Sequence, residues 1–196
     1  MNKTVIVDYE AGNLRSVANM LTFLEVPFEI TSDKDKIIKA ERIIFPGQGH
    51  FGQAMNNLEK KGLVGAIRQA CDKGIPFLGI CIGLQILFEK SEEAQGVSGL
   101  GILEGEVKRF KVGKIPQIGW NKVIPTENNS FIKEDYFYYV NSYYVQPKST
   151  DIISAYTDYN GKFCAAVEKK NIAAVQFHPE KSSNAGLNFF KNWLNK

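Results

Sequence analysis

The amino-acid sequence predicts a single three-layer α/β domain with a mixed, mostly parallel central sheet. In the first half, short runs rich in β-branched residues alternate with helical patterns, which is typical of βαβ units and parallel strands. In the second half, apolar runs follow one another without room for helices, so they should be strands, some of them antiparallel. No linker, repeat or low-complexity segment interrupts the 196 residues, and we expect one domain over residues 1–196.

The first half opens with "TVIVD", a run of strand length that is rich in β-branched residues. Stretches with apolar residues at helical spacing then separate further short apolar runs. The elements predicted in this half are, in order, strand 4–8, helix 14–24, strands 28–31 and 42–45, a helix before Gly74, strand 76–80 and helix 82–90.

The second half is predicted as strands followed by one closing helix. Asn160 and Gly161 lie between two of these strands and are a strong signal for a hairpin turn. The closing helix would bury Leu187, Phe190 and Leu194, which recur at helical spacing. The elements predicted here are strands 136–145, 152–157, 163–168 and 172–177 and helix 184–194.

Charge and hydrophobicity exclude several classes of protein. The chain has 24 basic and 21 acidic residues, which give a net charge of +3. Because the basic residues are scattered and form no cluster, we expect no nucleic-acid partner. No segment approaches the roughly 18 apolar residues of a membrane span, and the apolar run at the N-terminus is too short for a signal peptide. We therefore expect a cytoplasmic protein without a membrane partner.

Three cysteines are present, at positions 71, 81 and 164. Their odd number and their spacing match neither a zinc site nor a disulfide framework, so we expect reduced thiols and neither a metal nor another cofactor. Cys71, in a predicted helix, and Cys164, in a predicted strand, have the pattern of ordinary core or surface residues.

Cys81 differs because it falls where strand 76–80 turns into helix 82–90. Gly79 and Gly83 flank it, which gives the cysteine version of the G-x-S-x-G nucleophile elbow, where glycines let the backbone turn sharply. The carboxyl ends of parallel strands form the edge where ligands bind, and a helix N-terminus favours the thiolate. The alternative is that Cys81 is one more small buried residue.

A nucleophilic cysteine needs a base, and the chain has two histidines. His178 directly follows strand 172–177, and Pro179 cannot continue a strand ladder, so the chain should leave the sheet there. The carboxylate of Glu180 could then hold the imidazole and stabilise its charged form. The alternative is a surface turn.

A glycine-rich loop follows strand 42–45 and contains Gly47, Gln48 and Gly49. Such a loop can aim backbone N–H groups at a developing oxyanion, because its backbone is flexible. His50 ends this loop without a nearby carboxylate in sequence, so we expect a surface or ligand-lining histidine rather than the base.

Four motifs together are recognisable. "FPGQGHFG", "PFLGICIGLQILFEKSEE", "PQIGWN" and "FHPEKSS", in this order, resemble those of class I glutamine amidotransferases. The match is closest to the glutaminase subunits of imidazole glycerol phosphate synthase and runs over nearly the whole chain. The resemblance implies a flavodoxin-like fold and hydrolysis of glutamine to glutamate and ammonia.

The resemblance also implies roles for particular residues. Cys81, His178 and Glu180 would form the triad, with Cys81 attacking the side-chain amide to give a γ-glutamyl thioester. The oxyanion would be served by the backbone that follows Cys81 and by the loop of Gly47, Gln48 and Gly49. The implied glutamine pocket consists of Gly49, Gln85, Ser142 and Tyr143. Without the family, Gln85 could equally be a solvated helix residue, and Ser142 and Tyr143 an ordinary pair in a strand.

In this family the ammonia passes to a separate (β/α)₈-barrel cyclase subunit, which converts the ribulosyl aminoimidazole carboxamide nucleotide PRFAR to imidazole glycerol phosphate and AICAR in histidine biosynthesis. The resemblance therefore implies a heterodimer. The positions that match the family's subunit interface are Asn13, Trp120, Asn121 and Lys181. Read by themselves, Trp120 would be a core residue and Lys181 a solvated charge.

Two positions depart from the family pattern. Gln48 stands where a valine is usual, and Asn141 stands where a histidine is common. These departures leave room for a paralogous subunit that supplies ammonia for amidation of a surface sugar. A stand-alone γ-glutamyl hydrolase is a further alternative, but it gives no reason for "PQIGWN". A non-catalytic regulatory subunit is disfavoured by the intact triad.

Overall fold

The computed structural model of the chain describes residues 3–10 and 13–196. Within these ranges, one sheet combines twelve strands with α-helices on both of its faces. The strands β1 to β12 are Thr4–Val7, Phe28–Thr31, Arg42–Phe45, Phe77–Ile80, Lys90–Ser91, Gly105–Arg109, Gln117–Pro125, Asp135–Asn141, Tyr143–Pro147, Ile153–Asp158, Lys162–Lys169 and Ile172–Val175. The α-helices α1 to α6 are Leu14–Phe23, Lys34–Ile37, Phe51–Lys60, Leu63–Asp72, Ile82–Gln85 and Ser183–Leu194.

The sheet has a parallel half and an antiparallel half. The parallel half has the strand order β2-β1-β3-β4-β12, and β12 lies beside β4 with Val175 opposite Ile80. From β12 the sheet continues through antiparallel β11, β10, β7 and β8, while β9, β6 and β5 form a branch from β11. The carboxyl ends of β3, β4 and β12 therefore meet at one edge, which is where parallel sheets bind ligands.

The strand residues alternate between two hydrophobic clusters, one on each face of the sheet. Val5 and Val7 of β1 pack with α3 and α4, whereas Ile6 packs with α1 and α6. This alternation follows from the period of two along a strand and gives the three layers that the sequence predicts.

Most elements of the first half and the last three strands lie where the sequence predicts them, to within one to three residues. The Asn160-Gly161 turn is confirmed, because β10 and β11 pair on either side of it and both turn residues have a positive φ. Among the described residues, no helix is both long enough and apolar enough to cross a bilayer.

Several predicted boundaries are wrong. The helix expected before Gly74 is α4, and a further helix, α3, precedes it and is separated from it at Gly62, whose φ is +64°. The helix expected over 82–90 ends at Gln85, after which the chain turns toward β5. Strand 136–145 breaks at Ser142, because β8 pairs with β7 whereas β9 pairs with β6.

The buried stripe of α6 also differs from the predicted one. Phe190 is buried as expected, but Leu187 and Leu194 are only half-buried. Phe189 and Trp193 are buried instead. The buried face of the helix is therefore centred on the aromatic residues and not on the leucines. Strands β5, β6 and β7 are not predicted by the sequence pattern.

Candidate active site

Cys81 sits at a sharp turn between β4 and α5. Its backbone has φ +56° and ψ −105°, which is rare for a residue with a side chain and costs about 1–3 kcal/mol. The Cys81 N–H donates to the Val175 carbonyl at 2.7 Å, so the turn is tied to the end of β12. The strained turn is the elbow that the flanking glycines predict.

The two flanking glycines are required by close backbone contacts. A Cβ atom at Gly79 would lie 2.5 Å from the Gly83 carbonyl oxygen, and one at Gly83 would lie 2.2 Å from the Phe45 carbonyl oxygen. Both distances are far below van der Waals contact, and each involves backbone that cannot rotate away. The elbow is therefore wedged against the end of β3.

We expect Gly83→Ala to lower the free energy of unfolding by about 1–3 kcal/mol, because the added methyl group has no space. Urea denaturation measures the change. Gly65→Ala is the matched control, since no atom lies within 4 Å of a Cβ at this helical position. That control should raise stability by about 0.5–1 kcal/mol through helix propensity. Equal stability of Gly83→Ala and the unaltered chain would contradict the wedged geometry.

His178 and Glu180 form a buried pair just after β12. The His178 Nδ1 and Glu180 Oε1 atoms are 2.8 Å apart, and the side chains are 1 % and 2 % exposed. The backbone N–H of His178 donates to the Tyr138 carbonyl at 2.8 Å, which fixes the backbone of the histidine against β8. The Nε2 atom has no hydrogen-bond partner among the described residues, so this end of the ring is available for proton transfer.

The charge state of His178 depends on its neighbours. Burial by itself lowers the pKa of the imidazole, but the adjacent Cys81 sulfur and the Glu180 carboxylate outweigh burial and raise the pKa of His178 above its usual value. The charged imidazolium is therefore favoured while Cys81 is a thiolate. This is the electrostatic arrangement of a cysteine–histidine pair that is ready for nucleophilic attack.

The two other cysteines lack these neighbours. Burial raises the pKa of the Cys71 thiol to about 12, with a smaller effect from Asp72. Burial likewise raises the pKa of Cys164, whose thiol is within hydrogen-bond distance of the Ala166 carbonyl. Both thiols should be protonated and unreactive at neutral pH.

A cavity of about 430 Å³ opens over Cys81, which is a suitable size for a small metabolite. It brings together most residues that the sequence singled out, and it adds several that the sequence did not. The described lining residues are Gln48, Gly49, Cys81, Ile82, Gln85, Glu93, Pro116, Val140, Asn141, Ser142, Tyr143, His178 and Lys181.

The glycine loop lies against the elbow. A Cβ at Gly47 would be 2.5 Å from the Tyr9 hydroxyl oxygen and 2.9 Å from Ile82 Cβ, so the loop approaches the buried tyrosine closely. Gly49 has φ +112°, a conformation that favours glycine. Gln48 and Gly49 line the cavity, whereas Gly47 lies beneath them.

His50 lies outside the cavity lining and has a structural contact. Its Nδ1 atom accepts a hydrogen bond from the Gly52 N–H at 3.1 Å and caps helix α3. Its side chain is exposed, as expected for a surface histidine.

Two buried glutamines connect the cavity to the cysteine. Gln85 donates through Nε2 to the Tyr143 carbonyl at 3.4 Å and to Gln176 Oε1 at 3.0 Å. Gln176 in turn places its Nε2 atom 3.5 Å from Cys81 Sγ. No sequence pattern indicates Gln176, because it reads as one more residue of strand 172–177.

Glu93 is a second site residue that no sequence pattern indicates, although it is the last residue of the motif "PFLGICIGLQILFEKSEE". Its Oε2 atom accepts a hydrogen bond from the Phe51 N–H at 2.7 Å, which joins it to the start of α3. Nothing in the sequence distinguishes Glu93 from Glu92, which instead pairs with Lys108 and lies outside the cavity lining.

The four residues assigned to an interface have different surroundings. Trp120 is 51 % exposed and packs edge to face on Tyr138, with ring centroids 6.2 Å apart. Asn121 donates to the Asp158 carbonyl at 2.7 Å, and Asn13 caps helix α1. Lys181 lines the cavity and forms no ion pair with any residue that the structure describes.

Comparison with known proteins agrees with this geometry. Residues 5–196 match the family model for class-I glutamine amidotransferases. The HisH subunit of imidazole glycerol phosphate synthase from Moorella thermoacetica is 44 % identical over 198 residues, which cover 98 % of this chain and 94 % of that protein. The corresponding Aquifex aeolicus subunit is 44 % identical over 200 residues, with 99 % and 97 % covered. A solved glutamine amidotransferase has the same fold, with a TM-score of 0.79 at 17 % identity and 97 % of each chain covered.

Proposed function

Because this chain belongs to the class-I glutamine amidotransferase family and is a glutaminase subunit of imidazole glycerol phosphate synthase, we propose that Cys81, His178 and Glu180 carry out its glutamine hydrolysis. We further propose that a barrel-shaped cyclase subunit receives the ammonia. The observation that carries the assignment is the buried His178–Glu180 pair beside a cysteine on a strained elbow. The three cysteines are free thiols, and we propose a cytoplasmic location, where thiols stay reduced.

Catalysis begins with attack of the Cys81 thiolate on the side-chain amide carbon of glutamine. His178 gives its Nε2 proton to the leaving nitrogen, the C–N bond breaks, and ammonia leaves a γ-glutamyl thioester on Cys81. A water molecule then attacks the thioester while His178 takes one of its protons, and glutamate is released with the thiolate restored. Glu180 keeps the imidazole oriented through Nδ1 in both steps.

The oxyanion of each tetrahedral intermediate needs hydrogen-bond donors. Ile82 is the first residue of α5, and an N–H at the start of a helix has no partner within the helix. The loop of Gln48 and Gly49 faces the same cavity and supplies a second backbone donor after a change in peptide orientation. A missing oxyanion donor lowers the rate by roughly 10²–10³-fold, which is enough for a switch.

The polar groups of the cavity suit the remaining parts of glutamine. Glu93 is the one carboxylate among the described lining residues, and it can pair with the α-ammonium group. Gln85 presents a buried Oε1 atom without a hydrogen-bond partner in the described part of the chain. Ser142 and Tyr143 form the opposite wall, where β8 ends and β9 begins.

A docking face for the cyclase is proposed on the outer side of the β7–β8 pair. Ile118 lies opposite Val140, and Trp120 lies opposite Tyr138. Ile118 is 61 % exposed and Val140 is 37 % exposed, while alternate residues of the same strands are buried or half-buried. Exposed apolar surface of this kind is typical of an interaction site, and a stand-alone hydrolase would have no use for it.

The docking face is continuous with the active site. Val140 belongs to both the docking face and the cavity lining. Tyr138, on which Trp120 packs, accepts the His178 N–H and donates its own N–H to Ser182 Oγ at 2.9 Å. A subunit that binds at Trp120 therefore contacts residues that pack on β8, the strand to which His178 is hydrogen-bonded. This contact provides a route for activation by the partner.

The experiment that tests this proposal measures glutamate release by the purified chain alone and with its cognate cyclase and the cyclase's nucleotide ligand. We expect low turnover alone and strong stimulation in the complex. Trp120→Ala should weaken cyclase binding by about 10- to 100-fold, as for a buried aromatic anchor of an interface. Titration of the stimulation with cyclase gives the affinity.

Ile30→Ala is the matched control for that experiment. Ile30 is 43 % exposed, but it lies on β2, at the opposite end of the strand order from β8. It should leave the stimulation curve unchanged. High turnover that is the same with and without the cyclase would instead favour a stand-alone hydrolase.

A further inference from the structure

Gln176 is a buried polar residue at the centre of the site, and the triad chemistry does not account for it. Its side chain is 0 % exposed, and its backbone N–H extends the strand pairing by donating to the Ala165 carbonyl at 2.8 Å. A buried amide is costly unless both of its ends are hydrogen-bonded. Gln176 meets this condition through two other residues of the site, Gln85 and Cys81.

The orientation of the Gln176 amide follows from its neighbours. A backbone carbonyl can only accept a hydrogen bond, so the Gln85 atom that faces the Tyr143 carbonyl is the NH₂ group. The same NH₂ group faces Gln176 at 3.0 Å, so the Gln176 atom there must be the oxygen. The remaining NH₂ group of Gln176 then points at Cys81 Sγ, 3.5 Å away.

A thiolate is a much better acceptor of this hydrogen bond than a neutral thiol, because hydrogen bonds to ionised groups are stronger. We infer that Gln176 is a further residue of the glutaminase reaction, which donates a hydrogen bond to the Cys81 thiolate and links the position of the sulfur to the substrate pocket through Gln85. This inference rests on the proposed role of Cys81 as the nucleophile.

The hydrogen bond between Gln85 and Gln176 also connects the substrate pocket to the Cys81 sulfur. Gln85 Oε1 is buried and has no partner among the described residues, and Gln85 lines the cavity. A donor of the bound substrate that reaches this oxygen polarises the Gln85 amide, and successive hydrogen bonds strengthen one another. Occupation of the pocket therefore strengthens the hydrogen bond that the sulfur receives.

Alkylation of Cys81 by iodoacetamide tests the inference, with the rate followed by mass spectrometry of the Cys81 peptide over the pH range in which cysteines titrate. Gln176→Met removes the donor at similar volume, and we expect the midpoint of the pH profile to rise by roughly 1–2 units. The kcat/KM for glutamine at neutral pH should fall by roughly 10- to 100-fold. A residue that only fills space would leave the midpoint in place.

Gln176→Leu also lacks the donor and provides a second test if Gln176→Met fails to fold. The midpoint should again rise above that of the unaltered chain, because the hydrogen bond to the sulfur is lost. Gln117→Met is the matched control, because Gln117 is 2 % exposed and forms no hydrogen bond with Cys81. That variant should leave the alkylation midpoint unchanged.

The outcomes separate this inference from the proposed function. If Cys81 in the unaltered chain is not alkylated preferentially and glutamine is not hydrolysed, the assignment of the nucleophile fails. If the unaltered chain behaves as proposed and folded Gln176 variants have the same midpoint and the same kcat/KM, the inference about Gln176 alone is overturned.

Discussion

Replacement of Cys81 by alanine should abolish glutamine hydrolysis while leaving the fold intact. In the proposed mechanism the thiolate is the attacking atom, so without it no thioester forms and the glutamine C–N bond is not broken. The substitution removes one atom from a side chain that is 5 % exposed, so the surrounding packing should change little. Glutamate release by the variant in the complex with its cyclase measures the loss.

The same variant should still support the ammonia-dependent reaction of the complex, because free ammonia bypasses the cysteine. Cys71→Ala is the matched control, as another buried cysteine whose replacement should leave glutaminase activity in place. A glutamine-like electrophile should label Cys81 and spare Cys71 and Cys164. Full glutamine hydrolysis by Cys81→Ala would falsify the triad.

Replacement of His178 by glutamine should lower kcat/KM by about 10²–10⁴-fold or more, since in the proposed mechanism His178 both activates the thiol and protonates the leaving nitrogen. Glu180→Gln should have a smaller effect, because the backbone of His178 keeps its hydrogen bond to the Tyr138 carbonyl and the ring itself is retained. His50→Gln is the control for loss of a histidine. It removes the cap of α3 and should cost about 1 kcal/mol of stability with little change in kcat/KM.

The pH dependence of activity follows from the environment of His178. Its pKa in the folded chain is raised, so the imidazolium persists above the usual histidine range. The charged form of His178 stabilises the folded chain. This contribution to the free energy of unfolding is complete below the pKa of an unfolded histidine, about 6.5, and is lost as the pH rises through the pKa of His178 in the folded chain. We expect kcat/KM to fall on the same alkaline limb, and a loss of activity that instead follows an unshifted histidine would contradict the pairing.

The sequence predicted the parallel half of the fold because its elements have strong local patterns. The runs around Ile6, Ile44 and Leu78 are short, apolar and bounded by helical stretches, and each is a strand. The strands β5, β6 and β7 lack such a pattern. Only Val107 of β6 is buried, and β7 contains Gly119 and an exposed tryptophan, so their pairing depends on partners distant in sequence.

The residues of the site likewise divide into those with a local sequence pattern and those placed by contacts distant in sequence. Cys81 and His178 could be found because each follows a recognisable strand that ends at the ligand-binding edge. Gln176 reaches the Cys81 sulfur because β12 lies beside β4, and Glu93 reaches the cavity because the chain after α5 folds back to the start of α3. No local pattern distinguishes these residues from ordinary strand and loop positions.

The placement of β12 has a consequence for synthesis of the protein. The elbow is completed by the hydrogen bond from Cys81 to Val175, and the base is only three residues farther along the chain than Val175. A nascent chain on the ribosome thus carries the proposed nucleophile, Cys81, long before it has the proposed base, His178, or a finished elbow. Glutamine cleavage can begin only when the last strand of the sheet has emerged and paired, so unfinished chains do not release ammonia in the cell.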